Sequence, residues 1–257
     1  MDDLWNENYH DWSILRAPLE VGAPRSTIVI TTRNKGVSSK TGTIPAAFSL
    51  KELSNDVCLS ILAHHALGTR DFSAHLNLKD IGEEIVKMCK GSPLAAKVLG
   101  GVLRNKMDRD KWEDVLKNKI WDLPQVESEI APALMLSYHH LPSHLKRCFA
   151  YCSIFPKDYE FEEEQLVLLW MAEGIIQPQG DKQMEDLGSQ YFHDLLSRSF
   201  FQQSSMRKSK FLMHDLINDL AQWVAGDICF RMEDRIEGIN KGEFSIKVRH
   251  LSYLGDY

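Results

Sequence analysis

Three consecutive residues restrict the fold of this chain more than any others. Gly91 suits the left-handed end of one helix, Ser92 the cap of the next, and Pro93 its first turn. A step of this kind makes two helices meet at a corner. The residues on either side agree with it. From Ser54 to about Leu141 the apolar positions recur at helical spacing. Ser54 reads as the N-cap of a helix carrying Val57, Ile61, Leu62 and Ala66, and Asp80 with Glu83 reads as a capping box before Ile81, Ile85 and Met88. Beyond the corner, Leu94, Val98, Leu99, Val102 and Leu103 share one side, and two more helical stretches fall near Asp110 to Lys119 and Ile130 to His140. Residues 53–141 are expected to form a small helical bundle.

Pro142 marks a boundary. Helices are expected over Ser143 to Cys152, Glu163 to Gly174 and Met184 to Ser199. Two strand-like runs follow, Phe200 to Ser204 and Lys210 to Met213, with a polar turn between them, and a helix from Asp215 to about Ala225 closes the set. Three helices and a hairpin make residues 142–228 a winged helix-turn-helix. Residues 229–257 mix charges and glycines, and they read as a linker ending in a strand start.

The first 52 residues read as an α/β remnant. Ser26 to Arg33 is a β-branched run without polar alternation, which suits a strand covered on both faces. Asp11 to Leu19 has helical spacing at Trp12, Leu15 and Leu19, Gly22 to Pro24 suits a turn, and Ala47 to Leu50 suits a short strand. Two strands make no stable sheet alone, so partners must come from elsewhere. The fold class expected is mainly α with this partial α/β piece.

Several function classes are excluded or weakened by composition. The formal charge of −6 offers no general attraction to nucleic acid or anionic lipid. No apolar run approaches the roughly 18 residues of a membrane span, and the N-terminal residues lack signal-peptide character. Five cysteines at irregular spacing suit free thiols, so a cytoplasmic location is expected.

Single residues carry weak chemistry. Asp2 and Asp3 could hold Mg²⁺ and orient water, or simply be solvated. Arg33 ends the strand-like run, where a ligand phosphate could be met or an arginine could merely cap. The Gly91–Leu94 corner needs only helix punctuation. His214 lies at a strand-to-helix junction, able to reach a phosphate or to cap with Asp215. His144, Cys148 and Cys152 share a helical face but lack the second ligand pair of a zinc site, which favours buried thiols. There is no Gly-x-Ser-x-Gly elbow and no Gly-x-x-x-x-Gly-Lys-Ser/Thr phosphate loop.

In order, these fragments resemble one family. Met1 to Glu7, with Asp2-Asp3-Leu4-Trp5, resembles the end of the Walker B motif of plant NB-ARC disease-resistance proteins, in the form of their coiled-coil class. Ser26 to Arg33 resembles the strand whose arginine senses the terminal phosphate. Gly91-Ser92-Pro93-Leu94-Ala95 is similar to the family's Gly-Leu-Pro-Leu-Ala turn, with Ser92 in place of leucine. Cys148 to Pro156 resembles the motif that opens the winged helix, Met213-His214-Asp215 matches the Met-His-Asp motif, and Val248 to Leu254 resembles the approach to leucine-rich repeats.

The resemblance implies a truncated P-loop NTPase core, a four-helix bundle as the first ARC subdomain over 53–141 and a winged-helix second one over 142–228. It implies an ADP/ATP switch using Mg²⁺, with Asp2 serving the metal, Asp3 positioning water and Arg33 sensing the γ-phosphate. Pro93 and Leu94 would line adenine, and His214 would reach the β-phosphate of ADP. Its implied partners are the coiled-coil and leucine-rich-repeat domains of a parent receptor and other receptors of the same kind. Without the phosphate loop, this chain is expected not to act as an enzyme.

Two rival readings use the same residues. One is a winged-helix DNA-binding regulator, opposed by Asp181, Glu185, Asp186 and Asp194 on or beside the would-be reading helix. The other is an interaction fragment that pairs with full-length receptors. On either reading Trp170, on the same face as Leu166, is expected in the core.

Overall fold

In a computed structural model the described residues are 1, 4, 6–23, 25–41, 48–122, 131–178, 180–233 and 248–254. The chain divides into two units, Met1–Lys51 and Glu52–Tyr257. In the first unit, helix α1 (Tyr9–Arg16) starts at Asn8, whose side chain accepts from the His10 amide at 3.0 Å. A 3₁₀ turn continues it over Ala17–Val21, and α2 spans Lys35–Thr41. Residues 26–32 are tied to Met1 and Leu4 by Leu4 N to Thr31 O (2.9 Å) and Thr31 N to Met1 O (3.1 Å).

Two expectations for this unit are corrected. The Ser26–Arg33 run forms no regular strand and is not covered on both faces: Val29 is 72% exposed and Ile28 45%. A strand covered on both faces needs a sheet around it, and among the described residues this run joins none. Phe48 and Leu50 lie exposed outside any strand, and Ala47 is outside the described residues. The helical spacing read along Asp11 to Leu19 is borne out by α1 and the 3₁₀ turn, with Trp12 alone of its three apolar positions buried. Helix α2 escaped notice because Val37 is its single buried residue, so it carries no apolar period.

The second unit begins with the expected bundle. Helix α3 (Asn55–Leu67) is capped by Ser54 and stopped by Gly68 at φ +72°. Helices α4 (Leu76–Met88), α5 (Pro93–Leu103) and α6 (Arg109–Leu116) pack with it around Leu62, Leu78, Ile85, Leu99, Leu103 and Trp112. The Trp112 indole N–H is satisfied by the Lys106 carbonyl at 2.8 Å. The capping box at Asp80 is a misreading, since α4 starts four residues earlier and places Asp80 inside the helix. Asp80 instead takes a bidentate pair from Arg109 on α6 (2.8 and 2.7 Å), which holds its carboxyl down at about 2. Helix α7 (Pro132–His139) gives Ala133 and Leu136 to this core and Leu134 to the next.

The winged helix follows. Helices α8 (Ser143–Tyr151), α9 (Glu163–Ala172) and α10 (Met184–Ser197) precede a minimal antiparallel hairpin, β1 (Gln202–Gln203) with β2 (Phe211–Leu212), and α11 (Asp215–Ala225) closes it. Phe161 bridges to Phe211 as a third extended segment. The core is aromatic: Phe192 stacks on Phe201 at 5.1 Å and Phe149 meets Phe200 edge-on at 4.7 Å. Trp170 is fully buried with Leu166, as expected. Cys148 and Cys152 are buried thiols, pushed up by desolvation, while His144 stacks on Tyr191 at 4.4 Å.

In the stretch expected as a linker over 229–257, the strand start read at its end is borne out and a second strand was not foreseen. Strands β3 (Cys229–Glu233) and β4 (His250–Leu254) pair in parallel, and they dock on the winged helix. Ser252 Oγ donates to Ile154 O at 2.6 Å, and Arg231 Nη1 donates to Phe155 O at 3.1 Å.

Two histidines in this unit sit among cations. His65 is pushed down to about 4 by burial and then by Lys97, His64 and Arg104. His140 is likewise pushed down to about 4, by burial and then Lys106, His139 and Arg198, with Asp114 opposing. Both values lie below the ordinary 6.5, so the fold favours the neutral rings. Their contribution is present above that ordinary value and is lost as pH falls toward 4. The urea midpoint is therefore expected to fall between about pH 6.5 and about pH 4. A His65→Gln/His140→Gln variant should lose clearly less across that window.

Candidate functional site

The corner at residues 89–95 is built as its residue types demand. Lys90 and Gly91 take successive positive φ values of +49° and +72°, which reverse the chain after α4. Ser92 N donates back to Cys89 O at 2.9 Å. A Cβ at Gly91 would lie 2.6 Å from Glu52 Cβ and 2.8 Å from Leu53 O, so both space and conformation require glycine. Ser92 caps α5, its Oγ accepting from Ala95 N at 3.3 Å. The serine found where the family has leucine thus supplies the cap. Pro93 stands exposed at the first helical position. Leu94 turns inward and packs against the winged-helix core.

Met213, His214 and Asp215 join β2 to α11. Met213 is buried in the same core that receives Leu94, so both motifs hang on one packing unit. His214 is exposed and is the N-cap of α11: its Nδ1 accepts from Leu216 N at 3.2 Å. Its carbonyl accepts from Ile217 N (2.8 Å) and Asn218 N (2.9 Å). The capping role anticipated for His214 is thus realised, with the ring still open to solvent. Asp215 adds a carboxylate to the first turn, where the helix end favours negative charge.

Arg33 belongs to the other unit. It is exposed and follows Thr32, whose hydroxyl donates to Leu4 O at 2.6 Å. Asp2 and Asp3 lie outside the described residues. The structure therefore gathers Pro93, Leu94, Met213, His214 and Asp215 in the unit 52–257, and Arg33 in the unit 1–51.

The wing offers little to a nucleic acid. Arg207 pairs with Glu160 at 2.8 Å and Lys210 pairs with Glu162. Helix α10 opens with Glu185 and Asp186. Cations already matched by acids release few counterions on meeting phosphates.

One pair of residues with a positional role was not singled out in the sequence. Gly100 and Gly101 lie inside α5, and each marks a close backbone approach. Two glycines within a helical pattern are the signal that could have revealed them.

The corner yields a graded expectation. Ser92→Ala should cost about 1 kcal/mol, the usual loss of a cap. Gly91→Ala combines a left-handed conformation with a clash against backbone, and should cost more than about 2 kcal/mol. Urea unfolding of both variants checks the order.

Comparison with known proteins places these features. The NB-ARC domain family matches residues 1–71, the part that carries Arg33. The family described as disease resistance protein winged helix domain matches residues 154–221, which include Met213-His214-Asp215. Disease resistance RPP13-like protein 1 of Arabidopsis thaliana is 44% identical over 257 residues, which is 100% of this chain and 24% of the relative. Disease resistance proteins RGA1 and RGA2 of Solanum bulbocastanum are each 47% identical over 223 residues, 86% of this chain and 23% of the relative. The chain thus spans about a quarter of the length of these relatives. Its helical bundle corner, its winged helix and its Met-His-Asp junction all fall within that shared span, and the chain belongs to the plant NB-ARC disease-resistance family.

Proposed function

We propose that this segment is the ARC side of an ADP/ATP-dependent switch in an immune receptor, and that by itself it turns over no ATP. One observation carries the reading. Pro93 and His214 are exposed at the N-termini of α5 and α11, while their neighbours Leu94 and Met213 anchor in one core. Helix N-termini present backbone N–H groups and positive potential to phosphate. An exposed proline face suits the apolar plane of adenine, and an exposed imidazole suits a phosphate oxygen. The residues present therefore fit an adenine nucleotide.

In a whole receptor, Arg33 would sense the γ-phosphate, Asp2 would hold Mg²⁺ and Asp3 would orient water. When bound, Mg²⁺ would neutralise phosphate charge. These 257 residues contain no Gly-x-x-x-x-Gly-Lys-Ser/Thr loop, and that supports a non-enzymatic role for the segment alone. Coiled-coil and leucine-rich-repeat domains, and other receptors of the family, are its proposed partners. A cytoplasmic setting suits its free thiols, and among the described residues no helix is long and apolar enough to cross a membrane.

The test is thermal. ADP at about 5 mM should raise the unfolding midpoint, since a ligand bound to the native state stabilises it. His214→Ala should shrink that increment, beyond the lost cap that lowers the midpoint with and without ADP. Absence of any ADP increment in the unaltered chain overturns the nucleotide-facing assignment. Phosphate release from ATP that Asp3→Ala abolishes overturns the non-enzymatic one.

A further inference from the structure

Helix α5 touches the winged-helix part of the unit through a position that has no side chain. A Cβ at Gly101 would lie 2.8 Å from Arg198 Cα, 2.9 Å from its carbonyl carbon and 2.9 Å from its oxygen. These are backbone atoms at the end of α10, so no flexible tip can swing aside. Gly100 next to it approaches a different element: its Cβ would meet His65 Cβ at 2.6 Å and Leu62 O at 3.0 Å on α3. One glycine therefore seats α5 inside the bundle, and the other seats the winged helix on α5.

The α10 end is shaped to that contact. Ser199 is buried and takes the left-handed conformation at φ +67°, which a residue with a Cβ adopts only at a cost. Ser199 N donates to Leu196 O at 3.0 Å and Phe200 N donates to Leu195 O at 3.1 Å, which closes the helix tightly. Arg104, just past α5, adds Nη1 to Ser197 O at 3.4 Å across the same seam.

We propose that Gly101 is the positioning residue that seats the winged helix on the bundle and so holds the N-termini of α5 and α11 in place for one nucleotide. The nucleotide half of this statement rests on the switch reading above. The seating half rests on the contact alone. Any side chain at 101 must pry the α10 end away from α5, whereas one at 100 strains the bundle and leaves the seam.

Hydrogen exchange on the whole chain separates the two. Gly101→Ala should lower protection of amides 195–201 by about tenfold while amides 58–66 keep theirs, which is local opening. Gly100→Ala should weaken 58–66 at least as much as 195–201. Arg104→Ala, which removes an exposed side chain and only one seam hydrogen bond, gives the same local pattern more weakly and guards against a Gly101 variant that fails to fold. Uniform loss, or none, in both seam variants overturns the seating role. Local opening with an unchanged ADP increment overturns the link to nucleotide. A missing ADP increment in the unaltered chain, with the exchange pattern intact, removes the nucleotide reading and leaves the seating role standing.

Discussion

Everything in the unit 52–257 depends on α5 lying in two hydrophobic cores at once. Ala95, Ala96, Leu99, Val102 and Leu103 face the bundle, while Val98 and Leu94 face the winged helix. Each buried leucine or valine side chain is worth roughly 1.5–3 kcal/mol relative to exposure. A helix that contributes on both sides therefore cannot leave either core without weakening the other. Helix α7 repeats the arrangement on a smaller scale, with Leu134 turned one way and Ala133 and Leu136 the other. Gly100 and Gly101 each give up about 1 kcal/mol of helix propensity against alanine. The close approaches they permit, to α3 and to α10, offset that loss through packing.

The exposure of Pro93 and His214 is a consequence of this packing. Pro93 and His214 stand exposed because Leu94 and Met213 beside them are drawn into the aromatic core. Their exposure comes at helix N-termini, where backbone donors are unpaired by the helix itself. Local punctuation does the rest: Ser92 and His214 each satisfy one such donor.

Much of this was legible in the sequence wherever the cause was local. Ser54, Ser92 and Pro93 fall where they were expected because a cap involves three or four neighbouring residues. Ser26 to Arg33 misled because β-branching describes a preference for burial, while burial itself needs a second layer. Asp80 misled for a related reason. Its carboxylate suits a cap, yet Arg109, 29 residues on, provides a better partner than the backbone. The β3 and β4 pairing is parallel and joins segments that are separated in sequence, so no local pattern announced it.

The site was legible by resemblance more than by chemistry. His214 supports capping and ligand contact equally well as a residue type, and the structure places it as the exposed N-cap of α11. Gly101 was silent because a glycine inside a helix reads as a propensity loss until the neighbouring backbone is in view. The most direct test of a shared α5 is whether the two cores unfold together. Trp112 reports the bundle and Trp170 the winged helix, and variants retaining one or the other as the sole tryptophan can be followed by fluorescence through a urea titration. Coincident midpoints and slopes are the predicted result. A winged helix that unfolds while the Trp112 signal stays native would contradict the account.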